Sequence, residues 1–404
     1  MAADLTSVDA ALKETWTENR LAEQLYQENP FLARIKRLKN TQVGQQAVTP
    51  IHTGRNWGYT ALPAAGGTLN SAGQQELKQA TWQYTHHHVQ VKIQGSAIDG
   101  TRGDALSVAQ VVDMEVEGAL TDLNRQLTRQ LFMDGNALVA QCGTTTADTT
   151  VVLDPVTGFN ALERGWLGVG AVIDIGTTAS EATIADGVSI TAIVEDESAP
   201  TIDISGSAVT TSSSHFISFK NSRSGTTTYE MNGLGNIVSE SADLGGLSVA
   251  SVPSWASPLV DSTSQALTLS LMYGANRKVQ QKTGKPSTYV LTGLKQQQKF
   301  YELVQSQVRF AGDSGLGAGN VDGVGFNGMV VYAQPDCKNE DMFFLTIEDL
   351  LIVAAGDPFW QNKIAGANIL QWVQGEDAYG AKITVRHNLG ARRRNSHVAY
   401  RGLS

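Results

Sequence analysis

Arg55-Asn56-Trp57-Gly58-Tyr59, Pro63-Ala64-Ala65-Gly66-Gly67 and Thr81-Trp82-Gln83-Tyr84 lie within one polar stretch, Thr49 to Gly100, that leads into a long amphipathic helix. Side chains alternate faces along a strand, so Arg55, Trp57 and Tyr59 share one side of an outgoing limb. Trp82 and Tyr84 share one side of a returning limb, and the Pro- and Gly-rich segment between them reads as a turn-rich tip. A two-stranded ribbon is marginal in water unless something covers one of its faces. The chain offers no obvious cover, so a neighbouring copy of the same protein is the simplest donor. On this reading Arg55, Trp57, Tyr59, Trp82 and Tyr84 are subunit-interface residues.

The returning limb changes its apolar side. Trp82 and Tyr84 occupy even positions, whereas Val89, Val91 and Ile93 occupy odd ones. The apolar face therefore switches near His86-His87-His88, through a bulge or because the strand leaves one packing partner for another. The three histidines do not spell a metal site. Neighbours on a strand point to opposite faces, so at most His86 and His88 converge, and no cysteine or carboxylate flanks them at ligand spacing.

The helix that follows has clear punctuation. Asp104 after Gly103 is a good N-cap and Gly135 sits where a C′ glycine belongs. Between them Ala109, Val112, Val116, Leu120, Leu123, Leu127 and Leu131 recur at spacings of three and four, and Arg125 and Arg129 fall late, favouring the dipole. At 1.5 Å per residue it spans ~45 Å, a structural spine.

Outward from this centre, the N-terminal segment carries a loose apolar stripe (Leu12, Trp16, Leu21, Leu25), a break at Asn29-Pro30 and a basic run, Arg34, Lys36, Arg37 and Lys39. That run reads as a solvated helix end or as an arm contacting an acidic neighbour. From Val151 to about Gly246 short alternating segments, among them Val169, Ala171, Ile173 and Ile175, then Ile202 with Ile204, are separated by Gly, Asp and Ser. They read as a small inserted antiparallel barrel or sandwich, with Asp174, Asp186, Glu195, Asp196 and Glu197 solvating its turns. Beyond Pro253 an α/β body is expected: helices over Ser262–Gln280 and Gln296–Phe310, strands at Thr288–Leu291 and Met329–Tyr332, a glycine-dense loop over Gly312–Gly328, a possible helix at Leu350–Val353, and closing strands at Lys382–Val385 and His397–Tyr400.

Bulk properties narrow the function. A length of 404 residues suggests two or three domains, and a net charge of −9 predicts no global attraction to nucleic acid. Cys142 and Cys337 cannot build a disulfide framework. The N-terminus lacks the pattern of a signal peptide and no apolar stretch approaches the ~20 residues of a membrane span, so a soluble cytosolic chain is expected. No catalytic constellation assembles. Gly312-Asp313-Ser314-Gly315 lacks a base histidine in context, Gly284-Lys285-Pro286-Ser287 lacks the upstream glycine of a phosphate loop, and neither a metal nor a cofactor is expected. Arg392, Arg393 and Arg394 read as a subunit contact ahead of a solvated turn or a nucleic-acid site.

The order of parts resembles the major capsid proteins of tailed bacteriophages, the Hong Kong 97-type fold. Gly158-Phe159-Asn160-Ala161-Leu162-Glu163-Arg164-Gly165-Trp166-Leu167 with Val172-Ile173-Asp174-Ile175 looks like the insertion of siphophage members, as does the tail from Asn388-Leu389-Gly390 to Arg394-Asn395-Ser396-His397. The resemblance implies an α+β fold. Residues 1–48 become an N-terminal arm, 49–100 the E-loop hairpin, and 101–150 a P-domain with the spine helix. Residues 151–246 become an inserted β-domain, 247–285 a return to the P-domain, 286–380 the A-domain and 381–404 a closing P-domain strand. It further implies a non-enzymatic protein that assembles with itself as hexamers and pentamers into an icosahedral shell around double-stranded DNA, built in the bacterial cytoplasm and ending in the virion. Expected partners are a separate scaffolding protein, a portal and a decoration protein, with DNA held non-specifically and no membrane. An encapsulin-like nanocompartment shell and a β-rich tail or adhesion protein are the alternative readings.

Overall fold

The computed structural model describes residues 30–39, 46–95, 105–154, 161–162, 164–196, 199–258, 260–305, 324–361 and 371–404. The Leu12–Leu25 stripe, the Asp104 cap and most of the glycine-dense loop lie outside them. In chain order the elements are helix α1 (Pro30–Arg34), strands β1 (Lys36–Lys39), β2 (Gln46–Gly54), β3 (Glu76–Gln83) and β4 (Thr85–Gln94), and helix α2 (Ala105–Phe132). Strands β5 (Ala140–Gln141), β6 (Thr145–Asp148), β7 (Thr150–Val152), β8 (Val172–Gly176), β9 (Ala185–Val194), β10 (Thr201–Ile204), β11 (Val209–Thr211), β12 (Phe216–Phe219), β13 (Arg223–Ser224) and β14 (Thr227–Thr228) follow. Then come helix α3 (Leu234–Ile237), strand β15 (Val260–Gln265), helix α4 (Leu269–Thr283), strand β16 (Tyr289–Thr292) and helix α5 (Leu294–Gln305). The last are β17 (Val324–Phe326), β18 (Met329–Ala333), β19 (Met342–Leu345), β20 (Leu350–Ala354), β21 (Phe359–Trp360), β22 (Gln371–Trp372), β23 (Ala378–Ala391) and β24 (Val398–Leu403).

The chain divides into two compact units: Met1–Val43 with Tyr84–Gly233 and Ile352–Asn388, and Gly44–Gln83 with Leu234–Leu351 and Leu389–Ser404. In the first unit α2 runs for 28 residues. Its buried stripe, Val116, Leu120, Leu123 and Leu127, packs on Val91 and Ile93 of β4 and on Ala381, Ile383 and Val385 of β23. The helix stops at Phe132, and Gly135 adopts φ 66° in the following turn rather than at the cap itself. The sheet under α2 has the order β1-β20-β23-β21, with β4 and β22 also pairing β23. Strand β4 pairs antiparallel with β23 from Gln94↔Ala378 to Thr85↔His387.

This pairing settles the change of apolar side in the returning limb. Strand β3 pairs with β2, the ladder breaks at Tyr84, and β4 resumes on β23. The limb changes partners; it does not bulge. The chain passes from the second unit to the first at the same point, between Gln83 and Tyr84.

A second antiparallel sheet of the first unit, in the order β5-β12-β8-β9-β10-β7, begins at Ala140 and encloses Val139, Val151, Ile173, Ile175, Ile190, Ile202 and Ile217. Asp174 does not solvate a turn there. It lies mid-strand on the face opposite Ile173 and Ile175, where it is buried, accepts from the Gly187 amide at 2.7 Å and meets Lys220 at 3.5 Å. Arg129, late on α2, forms a buried ion pair with Glu230 and lies 5.6 Å from the Phe219 ring.

The second unit holds a mixed sheet in the order β15-β24-β19-β16-β18-β17, parallel at β15/β24 and β16/β18. Met272, Ala275 and Val279 of α4 and Phe300 of α5 pack on its Val290, Val331, Phe344 and Tyr400. Two expectations need correcting. Ser262 is in strand β15, not a helix, because Val260–Gln265 pairs with β24; α4 starts only after Thr268, whose hydroxyl caps the Leu271 amide at 3.2 Å. Leu350–Ala354 is a fully buried strand, not a helix: a short apolar run does not distinguish the two by periodicity. Gly284, in the sequence that superficially resembles a phosphate loop, is the left-handed C-cap of α4 with φ 77°.

Candidate subunit interface

Strands β2 and β3 form a two-stranded ribbon with two unlike faces. In register, Ala47 faces Trp82 and Thr49 faces Ala80. On that side Ala47, Ala80 and Trp82 are buried at the ribbon's base, with Trp82 against Trp255 at a ring separation of 6.4 Å and its indole donating to Thr49 Oγ1 at 3.1 Å. The Thr81 amide donates to the Gly245 carbonyl at 2.9 Å, pinning the β3 edge. The other side, where Val48 faces Thr81, leaves Val48 and Leu77 exposed.

Space at the base is tight. A Cβ on Gly390 would lie 2.9 Å from the Trp82 ring, which Trp255 holds from another side. Gly390→Ala is therefore expected to destabilise the subunit by about 1–3 kcal/mol through overpacking. A urea midpoint equal to that of the wild type counts against this.

Beyond Gly54 and before Glu76 the ladder gives way to a loop stitched by side chains. Asn56 Oδ1 accepts from the Gly58 amide at 2.7 Å and from the Gly73 amide at 3.1 Å, crossing the loop. Asn70 ties the limbs again, its amide donating to Thr60 Oγ1 at 2.8 Å and its Nδ2 to the Tyr59 carbonyl at 3.0 Å. Pro63 and Gly66 close the tip with a 3.0 Å backbone bond. These bonds brace the loop across its width while its apolar side chains turn out: Trp57 is 82% and Tyr59 83% exposed, with Leu62 and Leu69 exposed nearby. Scattered exposed apolar residues are ordinary, but this group crowds one short loop.

Of the aromatics assigned to a neighbour from the sequence, the structure leaves Trp57 and Tyr59 open, along with Arg55. It withdraws Trp82 and Tyr84, which are 1% and 8% exposed. Both lie where the arm enters the chain's own packing, so their burial needs no second subunit. Val48, Leu62, Leu69 and Leu77 are also exposed on this arm, each an isolated leucine or valine in an otherwise polar sequence.

No protein family and no curated protein matches the sequence. Solved structures do match. The chain of the cyanophage A-1(L) capsid asymmetric unit superposes with a TM-score of 0.51 over 93% of this chain and 92% of that one, at 12% identity. The fold is that of a phage capsid protein. Weaker likenesses are the capsid of an empty GTA particle (TM-score 0.48, 8% identity, covering 92% and 90%) and a chain of Mycobacterium phage Cain (0.43, 9%, 100% and 99%). The α+β architecture expected from the order of parts agrees with the cyanophage match: helices packed on antiparallel and mixed sheets, in the fold of that capsid chain.

Within this capsid fold the arginine triplet divides. Arg392 and Arg393 are exposed. Arg394 is not a contact for another subunit. It is completely buried, and its guanidinium donates to the carbonyls of Ile237 (2.9 Å), Ala242 (2.9 Å), Ser239 (3.0 Å) and Asn236 (3.2 Å), 5.7 Å from the Trp255 ring. Burial lowers its pKa to about 10, partly offset by Asp243, so it stays charged at neutral pH. Among the described residues no group of three or more His, Cys, Asp or Glu side chains is placed to hold a metal, and no helix is long and apolar enough to cross a membrane. Cys142 and Cys337 are both free and buried, and burial pushes the Cys142 thiol up to about 12.

Proposed function

We propose that the chain is a major capsid protein whose copies assemble into an icosahedral shell around double-stranded DNA. The exposed Trp57–Tyr59 pair, carried on a loop braced by Asn56 and Asn70 in a chain with a phage-capsid fold, is the observation that supports it. Two large aromatics turned to water on a pinned arm are stabilised by a covering surface, and none is present among the described residues. Each such ring brings 150–250 Å² of area, or several kcal/mol at ~25 cal/mol/Å² before ordering costs. Many copies sharing many such contacts make a durable shell from modest interfaces.

On this reading Arg55, Trp57 and Tyr59 touch a neighbour, with Arg392 and Arg393 as further contacts, and subunits group as pentamers and hexamers. The sheet that begins at Ala140 belongs to the inserted β-domain. The role is structural and non-enzymatic, with a scaffolding protein, a portal and a decoration protein as partners, assembly in the host cytoplasm and the virion as destination. The test is electron microscopy and sedimentation of purified protein. Deleting Asn56–Glu76, or making Trp57→Ser with Tyr59→Ser, is expected to abolish shells or raise the concentration at which they form at least tenfold. The subunit's circular dichroism should stay unchanged. Normal shells from the double variant would sink the arm's role.

A further inference from the structure

The sheet of the first unit has a second face, turned away from α2, and it is basic. Odd positions of β4 and β23 point to the helix; even positions bring His86 opposite Arg386 and His88 opposite Thr384, with Lys382 opposite Gln90. His86, His88 and Arg386 are exposed and Lys382 is half-buried. The His86 and His88 rings are 6.3 Å apart, His88 Nδ1 lies 3.0 Å from Thr384 Oγ1, and the Arg386 guanidinium stacks 5.2 Å over Phe359. No carboxylate among the described residues pairs with these four basic groups; Glu376 pairs with Lys92 further along the strands, and Asp357, after β20, pairs with Arg37. In a chain of net charge −9, this row is a local arrangement rather than a consequence of composition.

We infer that this face docks the phosphate backbone of duplex DNA. The choice of DNA rests on the shell reading above; the surface does not. Its groups are charges without an apolar anchor. Gln90, Thr384 and Gly380 lie among them and Phe359 sits under Arg386, so the desolvated hydrophobic centre that a protein partner would need is missing. A sheet face that places no side chain in a groove contacts phosphates and reads no bases. Burial and then Arg386 hold His86 below its ordinary pKa; burial, Lys382, His86 and Arg386 do the same for His88. At neutral pH the face therefore offers two fixed cations, Lys382 and Arg386, and grips weakly, which suits a genome that must move in and out. A phosphate set against the histidines favours their charged form, so binding takes up protons and tightens as pH falls.

Fluorescence anisotropy of a labelled 24-base-pair duplex against the unassembled subunit tests this, at pH 8.0 and 6.0 and with near-ultraviolet circular dichroism confirming the fold at both. The salt slope is expected to steepen from about −1.8, two phosphates neutralised, toward about −3.6, four neutralised. Affinity in low salt should rise at least fivefold between the two pH values. Lys382→Gln with Arg386→Gln should weaken binding at pH 8.0 at least tenfold, and His86→Gln with His88→Gln should flatten the pH dependence while leaving the pH 8.0 affinity in place. Lys278→Gln with Lys282→Gln, an equal charge change on exposed positions of α4, should do neither. A loss in that control as large as in the sheet variant, no DNA binding at either pH, or tighter binding of poly-glutamate than of DNA each overturns the assignment. Shell formation is scored separately: shells without DNA binding refute this face, and DNA binding without shells refutes the capsid reading.

Discussion

Arg394→Met is expected to destabilise the free subunit by about 4 kcal/mol or more, lowering its melting temperature by roughly 10 °C. The guanidinium is the shared partner of the Asn236, Ile237, Ser239 and Ala242 carbonyls. Asn236 and Ile237 end helix α3, whose last carbonyls have no partner within the helix. A cation at a helix C-terminus also meets the negative end of its dipole. Methionine fills a similar volume and stacks on Trp255, so packing is largely kept while the four carbonyls lose the guanidinium, the Ser239 carbonyl alone keeping the Ser257 amide at 3.3 Å among the bonds described. Each buried acceptor left unmet costs ~1–3 kcal/mol, less what water recovers. Lysine retains the charge but not the planar fork, and Arg394→Lys should recover less than half of the loss. Arg392→Ser and Arg393→Ser, exposed neighbours in the same triplet, should stay within about 0.5 kcal/mol of the wild type. A methionine variant that melts with the wild type refutes the clamp.

That triplet also marks how far the sequence could be read. Three consecutive arginines look alike as letters, and only the chain that returns past them, Leu234 to Ser239, distinguishes the buried one. Trp82 teaches the same lesson: alternation places it on the side of Tyr84, but not what lies across from that side, which is Trp255 and the bare backbone of Gly390. Where the signal is local it carried. The spacing of Val116, Leu120, Leu123 and Leu127 gives the buried face of α2, and the parity change between Tyr84 and Val89 marks where one ladder ends and another begins. Where the signal depends on pairing it failed. Val260–Gln265 has the polar composition of a helix start, and its strand state comes from β24, a partner more than a hundred residues away. The basic sheet face was invisible for the same reason, since His86 and Arg386 meet only through register.

Acid should unfold the free subunit in a narrow range below pH 6.5, because three histidines are held neutral inside it. Burial, then His87 and Arg37, push His387 well below its ordinary value. Burial, then Arg129, His88 and His86, lower His87 to about 4, and the His87 and His387 rings lie 5.4 Å apart. In the second unit burial and then Arg394 lower His397 to about 3. For each, the folded pKa lies below the unfolded 6.5, so the unfolded chain binds more protons at any pH between the two. Stability is therefore fully present above about pH 6.5 and falls as pH drops toward the folded values. With three groups each contributing up to ~1.4 kcal/mol per pH unit, the slope approaches ~4 kcal/mol per unit, and about 6 kcal/mol is gone by pH 5. Domain stabilities are of order 5–15 kcal/mol, so the transition falls near there. His397→Gln, which cannot charge, should reduce the slope by about a third even where it lowers stability at pH 7.5. Urea midpoints measured every half unit from pH 7.5 to 5.0 read the slope directly. A flat profile across that range would mean that these imidazoles find solvent or an anionic partner on protonation, and would refute their burial as neutral groups.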